Sequence, residues 1–258
     1  MARDDDWEKK EGWTRREWVK AGLAVGGASA ATAIGVTLGV PLLSGPQPTE
    51  PFPDVIRYTR FNTDQWWNNL EDQPMKVTDF GEWKGATGVF HGAFVDGKHL
   101  AGTGLPVLVI RIKRDDSVFS APAAGDVNLP PGFGLYFDDS ARDVRIVAFY
   151  DRCVHLCCYP GWQVVTDPPP LRDYELYSPI PPPTWAKYGL DPIYCVCHGS
   201  QYEPMILQKS VNDRNGVEYV GALRVYGPAV RAIPVVPIKA VDDVITGVIS
   251  DPRWYEYC

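Results

Sequence analysis

The longest uninterrupted hydrophobic stretch of the chain lies near its N-terminus. Residues 21–43 carry no charged side chain and consist mostly of Ala, Gly, Val and Leu. Because roughly 20 apolar residues cross the hydrocarbon core of a bilayer as a helix, we predict one transmembrane helix over residues 18–43. The stretch GASAATA offers small residues for signal cleavage, but it lies in the middle of the run, which favours an uncleaved helix.

The charges on either side of this helix predict its orientation. A polar tail, residues 1–17, leads into TRREWVK, whose Arg15 and Arg16 resemble the twin-arginine pair of an export signal. The first charges after the helix are acidic, Glu50 and Asp54. Because positively charged flanks stay in the cytoplasm, we expect the N-terminus inside the cell membrane and the remainder of the chain on its outer face.

Downstream of the helix the hydrophobic pattern changes to that of a β protein. Residues 44–53, SGPQPTEPFP, contain four prolines and predict an extended, semi-rigid hinge. Residues 54–258 show no sustained helical period and alternate turn signals with short β-type runs. We therefore predict an all-β head, an antiparallel sandwich or small barrel. The β-type runs cover residues 107–112, 144–149, 193–197, 217–226 and 244–249.

Composition narrows the possible functions. The formal net charge of -7 argues against nucleic acid as a partner, because phosphate binding needs a basic face. The 24 prolines favour a loop-rich β architecture. The six cysteines are too few for a disulfide scaffold of 258 residues and too clustered to be ordinary core residues.

The cysteines cluster with histidines in two short segments. CVHLCC occupies residues 153–158 and CVCHGS occupies residues 195–200. A tetrahedral zinc site also takes Cys and His ligands, and a structural zinc-binding module without redox activity is therefore one alternative. Zinc sites usually draw two ligands from a CxxC pair, however, and one zinc ion leaves the remaining cysteines without a role.

These two segments resemble the boxes CTHLGC and CPCHGS of Rieske iron-sulfur proteins, specifically the subunits of cytochrome bc-type complexes. The segment GPAVRAIP at residues 227–234 resembles the GPxP-like loop of that family. The plan of one N-terminal helix, a hinge and a β head is similar too. The resemblance implies a Rieske-type fold for the head, with a cluster-binding subdomain over about residues 151–204. The HLCC wording and the long insertion at residues 159–194 resemble archaeal members.

The resemblance also implies a cofactor and its ligands. Cys153 and Cys195 would bind one iron of a single [2Fe-2S] cluster, and His155 and His198 would bind the other. Neutral imidazoles in place of two thiolates raise the reduction potential. Carried over in the same way, Cys158 and Cys197 would form a disulfide between the loops, Ser200 would donate to a bridging sulfide and Tyr202 to a ligand sulfur, and both donations favour the reduced cluster.

By the same resemblance, the chain would be the electron-transfer subunit of a quinol:cytochrome c oxidoreductase in a respiratory chain. His155 and His198 would contact quinol and accept its proton, a cytochrome b-type subunit and membrane lipid would surround the anchor, and a cytochrome or copper protein would receive the electron. The alternative is a Rieske relay in another exported oxidoreductase, similar to an arsenite oxidase. Rieske proteins of ring-hydroxylating dioxygenases lack the disulfide pair and are soluble.

Two cysteines fall outside the family pattern. Cys157 stands where the family usually has Gly, which suggests either a loop position with positive φ or a tight approach of the backbone to the cluster. Cys258 is the last residue of the chain, and the resemblance gives it no role. Two leftover thiols in an oxidising compartment favour pairing, so a second disulfide between Cys157 and Cys258 is a hypothesis that rests on the count alone.

The insertion at residues 159–194 has two open interpretations, a docking surface and a rigid cover.

Overall fold

The computed structural model describes residues 52–59, 65–164, 166–174 and 181–258. They belong to one unit that covers residues 51–258. The predicted tail, the predicted transmembrane helix and most of the predicted hinge lie outside the described residues. Within the described ranges, no helix is both long enough and apolar enough to cross a membrane.

Antiparallel β-sheets dominate the described part of the chain, which confirms the all-β expectation for the head. The strands are β1 (Pro53–Val55), β2 (Arg57–Tyr58), β3 (Gly85–Phe90), β4 (Phe94–Val95), β5 (Lys98–His99), β6 (Leu105–Ile112), β7 (Tyr136–Asp139), β8 (Val144–Tyr150), β9 (Ile193–Tyr194), β10 (Gln201–Val211), β11 (Glu218–Tyr226), β12 (Ile233–Pro234), β13 (Ile238–Val241) and β14 (Val244–Val248). They pair as sheets of order β2-β3-β6-β8-β7, β12-β11-β10-β9, β1-β14-β13 and β4-β5.

The five-stranded sheet is covered on both faces. Along β6, Val107 and Val109 belong to one hydrophobic core, and the alternating residues Leu108 and Ile110 belong to a second. Because successive side chains of a strand point to opposite faces, a strand buried on both sides has a continuous rather than an alternating apolar pattern. The run at residues 107–112 has this pattern. The second core also contains both free cysteines, so the segments CVHLCC and CVCHGS begin on it.

Most of the predicted β runs are strands, but one of them is too long. The run at 193–197 ends as a strand at Tyr194, because the Cys195 amide turns to the carbonyl of Ser200, 2.8 Å away, and begins a loop. Nine of the described strands lie outside the predicted runs: β1 to β5, β7, β10, β12 and β13. β10 is the longest strand described, and it is interrupted by register shifts near Glu203.

A short helix, α1 (Pro183–Tyr188), lies within the insertion. Pro183 occupies its first turn, where a missing amide costs nothing, and Gly189 ends it in the left-handed region with φ 65°. The buried carboxylate of Glu203 accepts hydrogen bonds from the amide and hydroxyl of Thr184. The helix is therefore fastened to β10. A 3-10 helix (Pro252–Tyr255) ends the fold and buries Trp254 and Tyr255.

Candidate metal centre

The two cysteine-histidine segments form loops with the same backbone hydrogen bonds. In the first cluster loop, residues 153–158, the Cys153 amide donates to the Cys158 carbonyl at 2.7 Å and the Cys157 amide donates to the Cys153 carbonyl at 2.9 Å. In the second cluster loop, residues 195–200, the corresponding bonds run from Cys195 to Ser200 at 2.8 Å and from Gly199 to Cys195 at 2.9 Å. The two loops therefore share one backbone conformation, and Cys153 and Cys195 occupy equivalent positions in it.

The fifth position of each loop adopts the left-handed conformation. Gly199 has φ 77° and Cys157 has φ 61°. Glycine takes this region without steric cost, whereas a side chain raises the energy by roughly 1 kcal/mol or more. Cys157 therefore has the positive φ that is typical of glycine, although it carries a side chain.

The two free thiols lie beneath the loops. Cys153 and Cys195 are each 1% exposed and are the unpaired cysteines of the described residues. Each is the first residue of its loop, so each thiol points from the turn into the second hydrophobic core. Two neighbouring thiols with no disulfide partner can offer a pair of ligands, because the thiolate is the form of cysteine that binds metal.

The two histidines lie nearer to the surface than the thiols. The rings of His155 and His198 have centroids 4.8 Å apart and are perpendicular to each other. Nδ1 of His155 is buried and has no hydrogen-bond partner in the described part of the protein. A buried nitrogen without a partner is costly, and a metal bond would satisfy it. The ring of His198 is exposed.

Two disulfide bonds converge on neighbouring residues of the first cluster loop. Cys158 is bonded to Cys197 of the second loop, and Cys157 is bonded to Cys258 at the C-terminus. These are the pairs that the sequence analysis considered. The first loop is therefore joined covalently both to its counterpart and to the end of the chain.

Two hydroxyl groups lie at the loops where the resemblance placed them. The Tyr202 hydroxyl is 3.1 Å from Sγ of Cys153. Ser200 is fully buried; its Oγ accepts a hydrogen bond from the Ala229 amide at 3.1 Å, and its hydroxyl hydrogen-bonds the Cys153 sulfur. Gly227, in the GPAVRAIP segment, packs so closely on Ser200 that a Cβ there would lie 2.5 Å from the Ser200 Cα.

The thiols differ in their acidity. The pKa of the Cys153 thiol is lowered, chiefly because the Cys195 thiol donates a hydrogen bond to it, and Tyr202 contributes a further bond. The pKa of Cys195 is raised because its proton is held by Cys153 and because it is buried. Burial keeps the pKa of Tyr202 above its usual range, so the phenol donates and the Cys153 sulfur accepts.

The four candidate ligands do not form the compact group that one tetrahedral ion requires. One group of three sulfur atoms among the described residues lies within 4.8 Å, but it consists of Cys195 and the disulfide-bonded Cys158 and Cys197, so it cannot bind an ion. Cys153, His155, Cys195 and His198 form no such compact group. The ligands of one zinc ion would lie within about 4 Å of one another.

Some residues that shape the site were not singled out from the sequence. Gln201 and Glu203, both fully buried, hold the insertion beside the second cluster loop. The Gln201 amide donates to the Leu171 carbonyl at 2.7 Å and its oxygen accepts from Tyr174 at 2.8 Å. In the sequence, only their position just after the CVCHGS segment could have pointed to them.

No protein-family model matches the chain, and no curated protein matches it either.

Proposed function

We propose that the chain is a membrane-anchored Rieske-type electron-transfer subunit of a cytochrome bc-type complex. The observation that carries the proposal is the pair of matching loops, which bring two free buried thiols and two neighbouring imidazoles to one end of the β head. The motif resemblance supports the same class. Residues 18–43 would form the single-pass anchor, with the N-terminus in the cytoplasm and the head on the outer face of the membrane.

Four side chains would hold one [2Fe-2S] cluster. Cys153 and Cys195 would be the thiolate ligands on the buried side, and the lowered pKa of Cys153 supports the thiolate form. His155, through its unpartnered Nδ1, and His198 would be the imidazole ligands on the exposed side. When bound, this group supplies one-electron transfer at the higher potential that two imidazole ligands give.

The chain's own residues would handle the proton and the surroundings. The ring nitrogen of His198 that does not bind metal would accept the hydrogen bond and then the proton of quinol. Ser200 and Tyr202 would donate to sulfur atoms and favour the more negative, reduced state. The disulfide between Cys158 and Cys197 would keep the two loops together, and two disulfides support an oxidising location outside the cytoplasm.

Electron paramagnetic resonance on the full-length chain tests the cluster. We expect iron and acid-labile sulfide in equal amounts and, after dithionite reduction, the rhombic signal of a cluster with mixed thiolate and imidazole ligands. His198→Ala should abolish this signal. His91→Asn, which changes a histidine outside both loops, should leave it intact. A colourless chain that contains zinc and no iron would refute the proposal.

Purification from membranes separates the bc-type role from the exported relay. We expect the chain to copurify with b-type haem and with quinol-oxidising activity that His198→Ala removes. Copurification with a molybdenum subunit, and without b-type haem, would instead support the arsenite oxidase-like relay. In either case the acceptor, a cytochrome or a copper protein, is identified by which one re-oxidises the reduced chain.

A further inference from the structure

A cleft of about 1000 Å³ opens directly beside His198. Three parts of the chain line it: Tyr194 with residues 196–199 of the second cluster loop, residues 226–228 at the end of β11, and residues 166–169 with Leu171 of the insertion. Small-molecule sites in proteins have volumes of roughly 300–1,000 Å³, so the cleft is large enough for a substrate-sized molecule. One of its walls comes from the insertion.

The floor of the cleft is a row of side chains across the four-stranded sheet. Gln201 of β10 is the register partner of Tyr194 on β9 and of Tyr226 on β11. Directly paired residues of neighbouring strands point to the same face of a sheet. The two tyrosines therefore lie on either side of Gln201 and give the cleft an aromatic floor.

The insertion wall is held rigidly against this floor. The Gln201 side chain bonds the Leu171 carbonyl and the Tyr174 hydroxyl, as described above. On the next residue, Arg172 makes two hydrogen bonds to the Asp191 carboxylate, at 2.9 and 2.8 Å, and its guanidinium lies 4.4 Å from the Trp185 ring centre. Leu171 stands between these anchors with its side chain 65% exposed. Such a wall is preorganised for binding.

The chemistry of the lining selects a neutral, apolar ligand. Asp167 is the one acidic residue in the lining, and within the described residues no Lys or Arg contributes to it. An anionic ligand such as a phosphate would therefore find no counter-charge. The walls contain prolines, Leu171 and Val196, the floor is aromatic, and the His198 ring lies at the edge. A flat ring with one hydroxyl group near His198 matches this arrangement.

We propose that this cleft binds the ring of the quinol substrate on the head itself, with Tyr194 and Tyr226 beneath the ring and Leu171 covering it. The inference rests on the proposed function, from which it takes the substrate class. It adds that the insertion of this chain supplies part of the substrate site and helps to determine which quinol is accepted.

Binding of a short-chain benzoquinone to the full-length, cluster-loaded, oxidised chain in detergent tests the inference, because neither partner can then react. Isothermal titration calorimetry should give saturable binding with one quinone per chain. Leu171→Asp should weaken it roughly tenfold or more, because a carboxylate loses its water against the apolar ring. Leu100→Asp is the matched control, since Leu100 is a 51% exposed leucine outside the cleft, and it should change the affinity less than twofold.

The same samples separate failure of the inference from failure of the proposed function. An intact cluster signal with no saturable binding, or with equal affinities for the two variants, would overturn the cleft and leave the electron-transfer proposal standing. A chain without any cluster signal would remove both proposals together.

Discussion

The two cluster loops share one backbone frame but are supported in different ways. The second loop is packed from behind: Ser200 is fully buried, Gly227 lies against its backbone, and the Ala229 amide bonds its hydroxyl. The first loop is buried only at its start, at Cys153 and Val154, whereas Leu156 and Cys157 are exposed. Adjacent disulfides at Cys157 and Cys158 hold its outer part.

The C-terminal tail supports the exposed part of the first loop through the disulfide between Cys157 and Cys258. Tyr255 is buried and donates to the Val235 carbonyl at 3.0 Å, and the Asn212 amide bonds the carbonyls of Arg253 and Glu256. Arg231 also bonds the Glu256 carbonyl. The tail is thus fixed to the body of the head before it reaches Cys258. One backbone frame can thus be held by packing around Ser200 in one loop and, in the other, by a disulfide to the C-terminal tail.

Removal of the disulfide between Cys157 and Cys258 is expected to have the largest effect on stability. The double variant Cys157→Ala, Cys258→Ala opens a covalent loop with a sequence separation of 101 residues. Loops of this length stabilise a fold by about 4 kcal/mol through the unfolded state, and the unfolding free energy in guanidinium should fall by about that amount. An unchanged midpoint would mean that Asn212 and Arg231 hold the tail without the disulfide.

The support of the second loop is tested through Glu203, which holds the insertion next to that loop by its bonds to Thr184. Burial raises the pKa of this carboxyl from 4.5 to about 7. The native state therefore binds the proton more tightly than the unfolded state, and stability falls as pH rises from about 4.5 to about 7, by about 3 kcal/mol. Glu203→Gln removes this titrating group.

The measurement compares the unfolding free energies of the two proteins at pH 5 and at pH 7.5. The wild-type protein should lose more stability between these values than Glu203→Gln. The carboxyl of Asp151 has a raised pKa for the same reason and contributes a slope of the same sign, but it is present in both proteins and cancels. Equal slopes would show that Glu203 does not titrate in this range.

A smaller effect is expected at the left-handed position that the two loops share, Gly199 in one and Cys157 in the other. Gly199→Ala places a Cβ at φ 77° with no other heavy atom within 4 Å, so the backbone alone should cost about 1 kcal/mol. In the Cys258→Ala background, Cys157→Gly should be more stable than Cys157→Ala by a similar amount. Equal stability of those two variants in thermal unfolding would contradict a strained backbone at Cys157.

The smallest expected effects concern the reduction potential of the proposed [2Fe-2S] cluster. Tyr202 donates to the Cys153 sulfur of the first loop, and Ser200 belongs to the second loop. Tyr202→Phe and Ser200→Ala should each lower the reduction potential by about 40 mV, because a donor to sulfur stabilises the reduced state by a fraction of a tenfold change in equilibrium. Redox titration followed by electron paramagnetic resonance measures it.

Tyr174→Phe is the matched control for these two variants. Its hydroxyl bonds the Gln201 oxygen and no sulfur, so its potential should equal that of the wild-type chain. A drop as large as that of Tyr202→Phe would mean that the potential responds to general loosening of the loops rather than to the bond on sulfur.

Much of the head was predictable from local pattern. The runs that became β6, β8, β11 and β14 were recognisable because Val, Ile and Tyr recur over whole strands. β10 escaped notice because Glu203 and Pro204 make its first half look polar and broken. In the fold, Glu203 finds its partners on the insertion helix, and the strand continues past register shifts.

The sequence by itself determined the cluster of chemical groups, since Cys and His at such short spacing in two loops indicate metal chemistry wherever the loops lie. It also determined the β character of the head through strand periodicity. Only the tertiary structure decided that Cys157 is left-handed, that the tail runs back to the first loop, and that Gln201 builds a cleft from the insertion. These features depend on contacts between distant residues, and local pattern carries no record of such contacts.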